Sequence, residues 1–207
     1  MLIIACIFTS LLSWYGGTDI IFDYLAFSGE NLLRGRVWTL VTALFLHGDL
    51  WHLLGNMVFL FVFGNTLEEE LKAARTLTAF GGALSFLLST LFFDPATPMI
   101  GASAAVFTLT AIAMLLKPLK FSFLFFMPLG LVAILYFLYN AAAVHFGVQG
   151  NTAYISHLIG FIVGIPFGVA WSRRWALNLL ITVGLLLIYL FLIQFLLPDI
   201  LGSISIP

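Results

Sequence analysis

The chain has 207 residues, of which 62% are hydrophobic and only 8% are charged. Soluble proteins are about 45–50% apolar and about 25% charged, so this chain lacks the polar shell that a soluble domain needs. Its eight basic residues and net charge of −1 also exclude the basic stripe of a nucleic-acid-binding protein. Because the apolar runs are long and continuous instead of alternating, the sequence predicts an all-α, polytopic membrane helical bundle and not a β-barrel.

Cysteine and metal-ligand patterns exclude several classes of site. Cys6 is the single cysteine, so neither an intrachain disulfide nor a zinc site of four thiolates is possible. No H-E-x-x-H motif is present, and no carboxylate lies beside the histidines of the apolar runs. These patterns argue against a metal site, and nothing in the sequence implies a cofactor. No secretory cleavage site follows the first apolar run, which predicts a retained span.

Seven apolar segments predict membrane-spanning helices. In chain order they are Leu2–Tyr15, Leu50–Leu67, Thr76–Phe93, Gly101–Leu116, Phe121–Phe146, Thr152–Trp171 and Trp175–Leu197. Spanning the hydrocarbon takes about 20 helical residues, and the first and fourth segments are shorter than that. Val37–Leu46 is shorter still and predicts an interfacial or re-entrant piece of a long first loop. We expect residues 1–171 to form a six-span core, and residues 172–207 to add a seventh span and a short tail.

The basic residues predict the orientation of the chain. Six of the eight follow even-numbered spans, namely Lys72, Arg75, Lys117, Lys120, Arg173 and Arg174. The positive-inside rule makes these loops cytoplasmic. We therefore expect the protein in the cell membrane, with its N-terminus in the cytoplasm. Arg34 and Arg36 lie in the first loop, on the opposite side.

Four polar residues lie in the outer halves of the even-numbered spans: His52, Asn56, Ser103 and His157. At about 1.5 Å per helical residue they come to similar depths below the outer surface. The N-termini of three helices then face one recessed pocket, where their dipoles favour an anionic transition state. A neutral imidazole can activate a serine hydroxyl, and His52 and Asn56 share a helix face and can donate hydrogen bonds.

Each of these features has a structural alternative. A serine among alanines is an ordinary packing residue, and a His/Asn pair four residues apart can simply bond one helix to another. Gly160, Gly164 and Gly168 repeat every four residues in the sixth span, a spacing typical of close helix packing. The same closeness would bring His157 within reach of a serine on a neighbouring helix. From the residues alone both interpretations stay open.

Three motifs in order resemble the rhomboid family of intramembrane serine proteases. Trp38–Asn56 resembles that family's first-loop and second-span signature, including its H-x-x-x-N. Gly101-Ala102-Ser103-Ala104 resembles the G-x-S-G nucleophile motif, and His157–Gly160 with Gly164 resembles the glycine-rich sixth span. Each motif is weak alone, but their order on the predicted spans is specific.

The resemblance implies a role for each matching residue. Ser103 would be the nucleophile and His157 the base of a Ser–His dyad without a third member, with His52 and Asn56 stabilising the oxyanion. The residues with structural roles would be Glu68, Gly101, Gly160 and Gly164. The implied partners are transmembrane protein substrates and the lipid bilayer, with no nucleic acid and no metal, and the active site would open on the extracytoplasmic side. The alternatives are an inactive rhomboid-like protein that binds membrane clients and a small transporter.

Three positions depart from the family pattern. Thr39 follows Trp38 where an arginine is usual, and Phe107 stands where a tyrosine often packs against the catalytic histidine. Ala104 replaces the glycine after the serine. If a regular helix begins at Ser103, the backbone angle φ at Ala104 is negative and alanine is tolerated.

Overall fold

The computed structural model describes residues 2–16, 23–71, 74–148 and 154–196. Its helices are α1 Leu2–Tyr15, α2 Gly29–Leu33, α3 Thr39–Thr42, α4 Leu50–Glu70, α5 Ala74–Ser89, α6 Ser103–Leu116, α7 Leu129–His145, α8 Tyr154–Trp171 and α9 Trp175–Phe191. A 3₁₀ turn covers Ala43–Phe45, and a π-helical turn, Leu192–Leu196, continues α9. The strands β1 Phe121–Ser122 and β2 Met127–Pro128 form a small antiparallel hairpin. The fold is therefore mostly helical, as predicted.

Three helices in the described part of the chain are long and apolar enough to cross a membrane. These are α4, α8 and α9 with its continuation to Phe195. The apolar helices α1, α6 and α7 are shorter. Several apolar helices in one chain make this a multi-pass helical membrane protein. The predicted first residue of the sixth span, Thr152, and the basic residue Lys72 fall outside the described residues.

The predicted fifth span, Phe121–Phe146, is wrong in its first eight residues. They form the β-hairpin, in which Phe121 pairs with Pro128, and α7 begins only at Leu129. The residue before a proline is disfavoured in the α conformation, so a helix cannot easily run through Met127 into Pro128. Apolar character alone does not separate a helix from an apolar hairpin, which is why the prediction failed.

The first loop contains no span between residues 37 and 46. It forms the single turn α3 followed by the 3₁₀ turn, and its interfacial or re-entrant position stays a prediction. Lys117 and Lys120, which follow α6, form ion pairs of 3.0 and 2.6 Å with Glu70 and Glu69, respectively. These pairs fasten the chain that follows α6 to the last turn of α4.

Helix α6 is the centre of the bundle. Twelve of its fourteen residues are buried, and it packs against α4, α5, α7, α8 and α9. Its closest neighbour is α8, because a Cβ added at Gly160 would collide with the carbonyl oxygen of Ala104, and one at Gly164 with that of Thr108. The Thr108 hydroxyl donates a hydrogen bond of 2.9 Å to the carbonyl oxygen of Gly160. The two backbones therefore lie in direct contact.

Candidate active site

Ser103 is the first residue of α6 and is partly exposed. The turn before it depends on Gly101, whose φ of +109° is a conformation that other residues rarely adopt. The Gly101 N–H donates to the carbonyl oxygen of Ala43, and the Ala102 N–H donates to Nε2 of His47 at 3.4 Å. The first loop therefore fixes the backbone that presents the serine hydroxyl.

His52 lies in the first turn of α4, where Asp49 caps the helix. The Asp49 carboxylate accepts a hydrogen bond of 2.8 Å from the His52 backbone N–H. The ring nitrogen Nδ1 accepts a long hydrogen bond of 3.5 Å from the Gly48 N–H, which favours the neutral tautomer with the proton on Nε2. A Cβ added at Gly101 would lie 2.7 Å from His52 Nε2 and 3.7 Å from Ser103 Oγ. The missing side chain of Gly101 thus leaves space between these two atoms.

Asn56 lies one turn further along α4 and is buried. Its Nδ2 donates a hydrogen bond of 3.0 Å to the carbonyl oxygen of His52. A side-chain amide nitrogen has two hydrogens, so this bond leaves the second one available to another acceptor.

His157 lies in the first part of α8 and is 5% exposed. Its ring stacks on Phe107 with centroids 4.6 Å apart and planes 9° apart. Phe107 in turn stacks on Tyr136 at 4.4 Å. Phe107 therefore supplies the ring contact that the family pattern assigns to a tyrosine, without the hydroxyl. The Nδ1 atom of His157 lies 2.8 Å from Oδ1 of Asn140.

One cavity of about 820 Å³ brings the four predicted polar residues together. Ser103, His157, His52 and Asn56 all line it. The rest of the lining is largely apolar or aromatic and includes Phe86, Phe93, Met99 and Tyr136. In the described part of the chain no group of three or more His, Cys, Asp or Glu side chains is arranged to hold a metal ion.

The remaining predicted residues lie elsewhere. Gly160 and Gly164 form the contact between α6 and α8, and neither lines the cavity. Glu68 lies exposed in the last turn of α4, at the end of the helix away from His52. The role that the resemblance gives to Glu68 stays a prediction.

His47 is more closely connected to this region than its sequence position near a loop indicates. It is fully buried, its Nδ1 lies 3.0 Å from the Ser10 hydroxyl, and its ring lies 5.1 Å from that of His52. Burial lowers the pKa of His47 to about 4, and the neighbouring His52 lowers it as well. The ring is neutral at pH 7, which matches its role as acceptor for the Ala102 N–H.

Asn140 is the second residue that the sequence interpretation missed. It contacts His157, for which a dyad without a third member had been expected. The sequence contained one signal for it, since a polar residue inside a membrane helix usually faces the protein interior. Spacing along the chain could not pair it with His157, because the two lie on different helices.

Comparison with known proteins identifies the family. Residues 34–174 match the family described as the Rhomboid domain. RHOMBOID-like protein 12, mitochondrial, from Arabidopsis thaliana is 28% identical over 70% of this chain and 48% of its own length. RHOMBOID-like protein 1 from the same plant is 33% identical over 68% of this chain and 36% of its own length.

A bacterial relative extends the comparison. The Bacillus subtilis protein named "Putative rhomboid protease YdcA" is 35% identical over 40% of this chain and 43% of its own length. The chain thus spans between about a third and a half of the length of these curated relatives. Because the matched domain covers most of the chain, including all four cavity-lining polar residues, this protein belongs to the rhomboid family.

Proposed function

We propose that the protein is an intramembrane serine endopeptidase that hydrolyses peptide bonds in or near transmembrane segments of membrane proteins. The observation that carries this proposal is the convergence of Ser103, His157, His52 and Asn56 on one cavity. Ser103 attacks the substrate carbonyl, and His157 takes the hydroxyl proton and later gives it to the leaving amine. The name of the bacterial relative supports the same class of reaction.

The oxyanion of the tetrahedral intermediate is stabilised by three kinds of donor. His52 directs a protonated Nε2 to the space beside Gly101, and Asn56 has a second amide hydrogen. The backbone N–H of Ser103 lies at the N-terminus of α6, where the helix dipole favours negative charge. Removing one such donor typically costs about 10²–10³ in rate, so Asn56→Ala or His52→Ala should reduce turnover without abolishing it.

The substrates are membrane-anchored helices with locally weak helicity. A backbone carbonyl inside a helix is already hydrogen-bonded, so it must leave that bond before Ser103 can reach it. The bilayer supplies these substrates, and the reaction needs no cofactor, metal or nucleic acid.

The proposed topology is six spans with a seventh added at the C-terminal end. Residues 1–171 form the core, and residues 172–207 carry the additional span. The protein lies in the cell membrane, and its N-terminus is in the cytoplasm. Lys117 and Lys120 lie at the ends of α4 and α6 opposite Ser103 and His52, which supports a cavity that opens on the extracytoplasmic side. Cysteine labelling with an impermeant reagent at Thr97, in a Cys6→Ala background, tests this: reaction from outside intact cells is expected.

The test of the activity compares purified natural protein with Ser103→Ala on a generic transmembrane substrate in lipid vesicles. Cleavage by Ser103→Ala should fall to background, and so should that by His157→Ala. Ser13→Ala is a matched control, because this buried hydroxyl donates a hydrogen bond to the carbonyl oxygen of Ser10 in its own helix, α1. Equal cleavage by the natural protein and Ser103→Ala would refute the proposal.

The second candidate is an inactive rhomboid-like protein that binds membrane clients. The observation that favours it is Ala104 in place of the family's glycine. Labelling with a fluorophosphonate separates the two, since it requires an activated serine. Retention of a substrate without labelling of Ser103 would assign the protein to the inactive class.

A further inference from the structure

Asn140 and His157 form a buried contact between α7 and α8. Asn140 is 1% exposed, His157 is 5% exposed, and Oδ1 of the first lies 2.8 Å from Nδ1 of the second. His157 lines the cavity on its other side, whereas Asn140 does not. The contact thus reaches the back of the imidazole, away from the space that a substrate would occupy.

The hydrogen bonds of Asn140 determine which ring nitrogen of His157 carries a proton. Nδ2 of Asn140 lies 2.8 Å from the carbonyl oxygen of Tyr136, which can only accept, so the amide nitrogen must face it. The amide oxygen then faces His157, and it too can only accept. Nδ1 of His157 therefore carries the proton, and Nε2 of the neutral ring has a free lone pair.

We propose that Asn140 is a positioning residue that holds His157 in the tautomer needed for a general base. This inference rests on the proposed function, and it adds a third, uncharged member to the Ser–His pair. A neutral amide suits this position, because a buried carboxylate would place a second charge in the membrane interior. The natural role of the amide is to fix the tautomer and the ring plane.

In the acylation step Nε2 of His157 first accepts a proton and then donates it. The Ser103 hydroxyl gives its proton to Nε2 of His157 while Oγ forms a bond to the substrate carbonyl carbon, whose π electrons move to the oxygen. When the tetrahedral intermediate collapses, the C–N bond breaks and Nε2–H protonates the leaving amine. The Nδ1–H bond to Asn140 persists throughout, so the ring returns to its starting tautomer.

The first experiment reads the tautomer directly by ¹⁵N NMR of ring-labelled histidine at pH 8. His157→Gln identifies the signals of His157, and Asn140→Leu removes the acceptor while keeping a similar volume. Asn178→Leu is the matched control, because Asn178 also donates its amide to helix carbonyl oxygens, those of Leu115 and Leu116. We expect a protonated Nδ1 in the natural protein and in the control, and a mixture of tautomers in Asn140→Leu.

The second experiment measures cleavage. Asn140→Leu should lower kcat about tenfold, the effect of one neutral hydrogen bond, with KM within twofold because Asn140 does not line the cavity. Asn178→Leu should leave kcat unchanged. Asn140→Asp keeps an acceptor for His157 but loses the donor to the Tyr136 carbonyl oxygen, so it should restore only part of kcat. It should also move the acid limb of the pH–rate profile to higher pH, since a carboxylate stabilises the protonated ring.

Separate results overturn the two proposals. An Nε2-protonated ring in the natural protein, or an unchanged tautomer in Asn140→Leu, refutes the role of Asn140 whether or not the protein cleaves anything. Cleavage that is equal in the natural protein and Ser103→Ala refutes the protease and leaves the tautomer measurement decisive for Asn140. If Asn140→Leu does not fold, Asn140→Ala gives the same two readouts, and unchanged kcat and tautomer in it are also a refutation.

Discussion

The helices α8 and α9 follow each other in the chain and both pack against α6, but one is inside the bundle and the other outside it. Eight residues of α8 are buried, whereas in α9 only Thr182 is buried. The exposed helix is the more apolar of the two. In a bilayer the surrounding solvent is itself apolar, so small and polar residues, not the most apolar ones, identify the helix that belongs inside.

The two helices also differ in how they contact α6. Helix α8 touches it backbone to backbone through Gly160 and Gly164. Helix α9 is attached through Asn178, whose Nδ2 donates hydrogen bonds of 2.7 and 3.1 Å to the carbonyl oxygens of Leu115 and Leu116 at the end of α6. Two backbones in contact cannot accommodate an added atom without moving apart, whereas a side chain can change its rotamer. Mutations should therefore affect the two interfaces to different degrees.

Gly160→Ala should have the largest effect. The new Cβ would collide with the carbonyl oxygen of Ala104, so α6 and α8 must move apart and take His157 away from Ser103. We expect a loss of at least about 3 kcal/mol in the free energy of unfolding, the upper part of the usual range for overpacking, and loss of cleavage. Unfolding in detergent by denaturant titration measures the stability.

Gly184→Ala in α9 is the matched control for this prediction. A Cβ added there has no neighbour within 4 Å, so the substitution should be neutral or stabilise the protein by up to about 1 kcal/mol through helix propensity. Equal destabilisation by the two substitutions would mean that the α6–α8 contact is no tighter than the lipid-facing surface of α9.

His47→Gln should change the acid sensitivity of the protein. The pKa of His47 is lowered from 6.5 to about 4, by burial and by His52, against the opposing effects of a hydrogen bond with the Phe45 backbone and of Asp49. The unfolded chain binds a proton below about pH 6.5 and the folded chain does not until about pH 4, so stability falls as the pH falls through this window. The loss amounts to at most about 3 kcal/mol.

Glutamine can still accept from the Ala102 N–H and donate to Ser10, but it does not titrate. The difference in melting temperature between the natural protein and His47→Gln should therefore be smaller at pH 4 than at pH 7. A pH dependence that is identical in both proteins would show that His47 is not the group that titrates.

Asn178→Leu should have a moderate effect on stability. It removes the two hydrogen bonds that attach α9 to the end of α6, at a cost of about 1–2 kcal/mol. Denaturant titration in detergent should give a loss smaller than that of Gly160→Ala. The reverse order would mean that α9 is the main support of α6.

Ala104→Gly should have the smallest effect on activity. Helix α6 begins at Ser103, and the φ angle of Ala104 is negative, as expected, so no glycine is needed there. The methyl group belongs to a buried cluster with Phe86 and Met99. We expect a stability loss of about 1 kcal/mol from propensity and a rate change below about tenfold. Rescue of an inactive natural protein by this substitution would contradict the expectation.

Much of the architecture followed from local properties of the sequence. The apolar runs predicted helices at α1, α4, α6 and α9 with starts that agree within two residues, because hydrophobic length is a local property. The hairpin before α7 did not follow, since its residues are as apolar as a helix and only the proline signalled the boundary.

For the candidate site too, the sequence predicted one part and the tertiary structure decided the other. The sequence predicted which side chains could carry out acyl transfer and, from the positions of Ser103, His157, His52 and Asn56 on their predicted helices, that they could meet in one pocket. In the structure all four line one cavity. Only the tertiary structure decided that Asn140 lies behind His157 and that His47 holds the Ala102 N–H. Those contacts join residues on different elements, and their geometry depends on how closely the helices approach and rotate, which no spacing along one chain encodes.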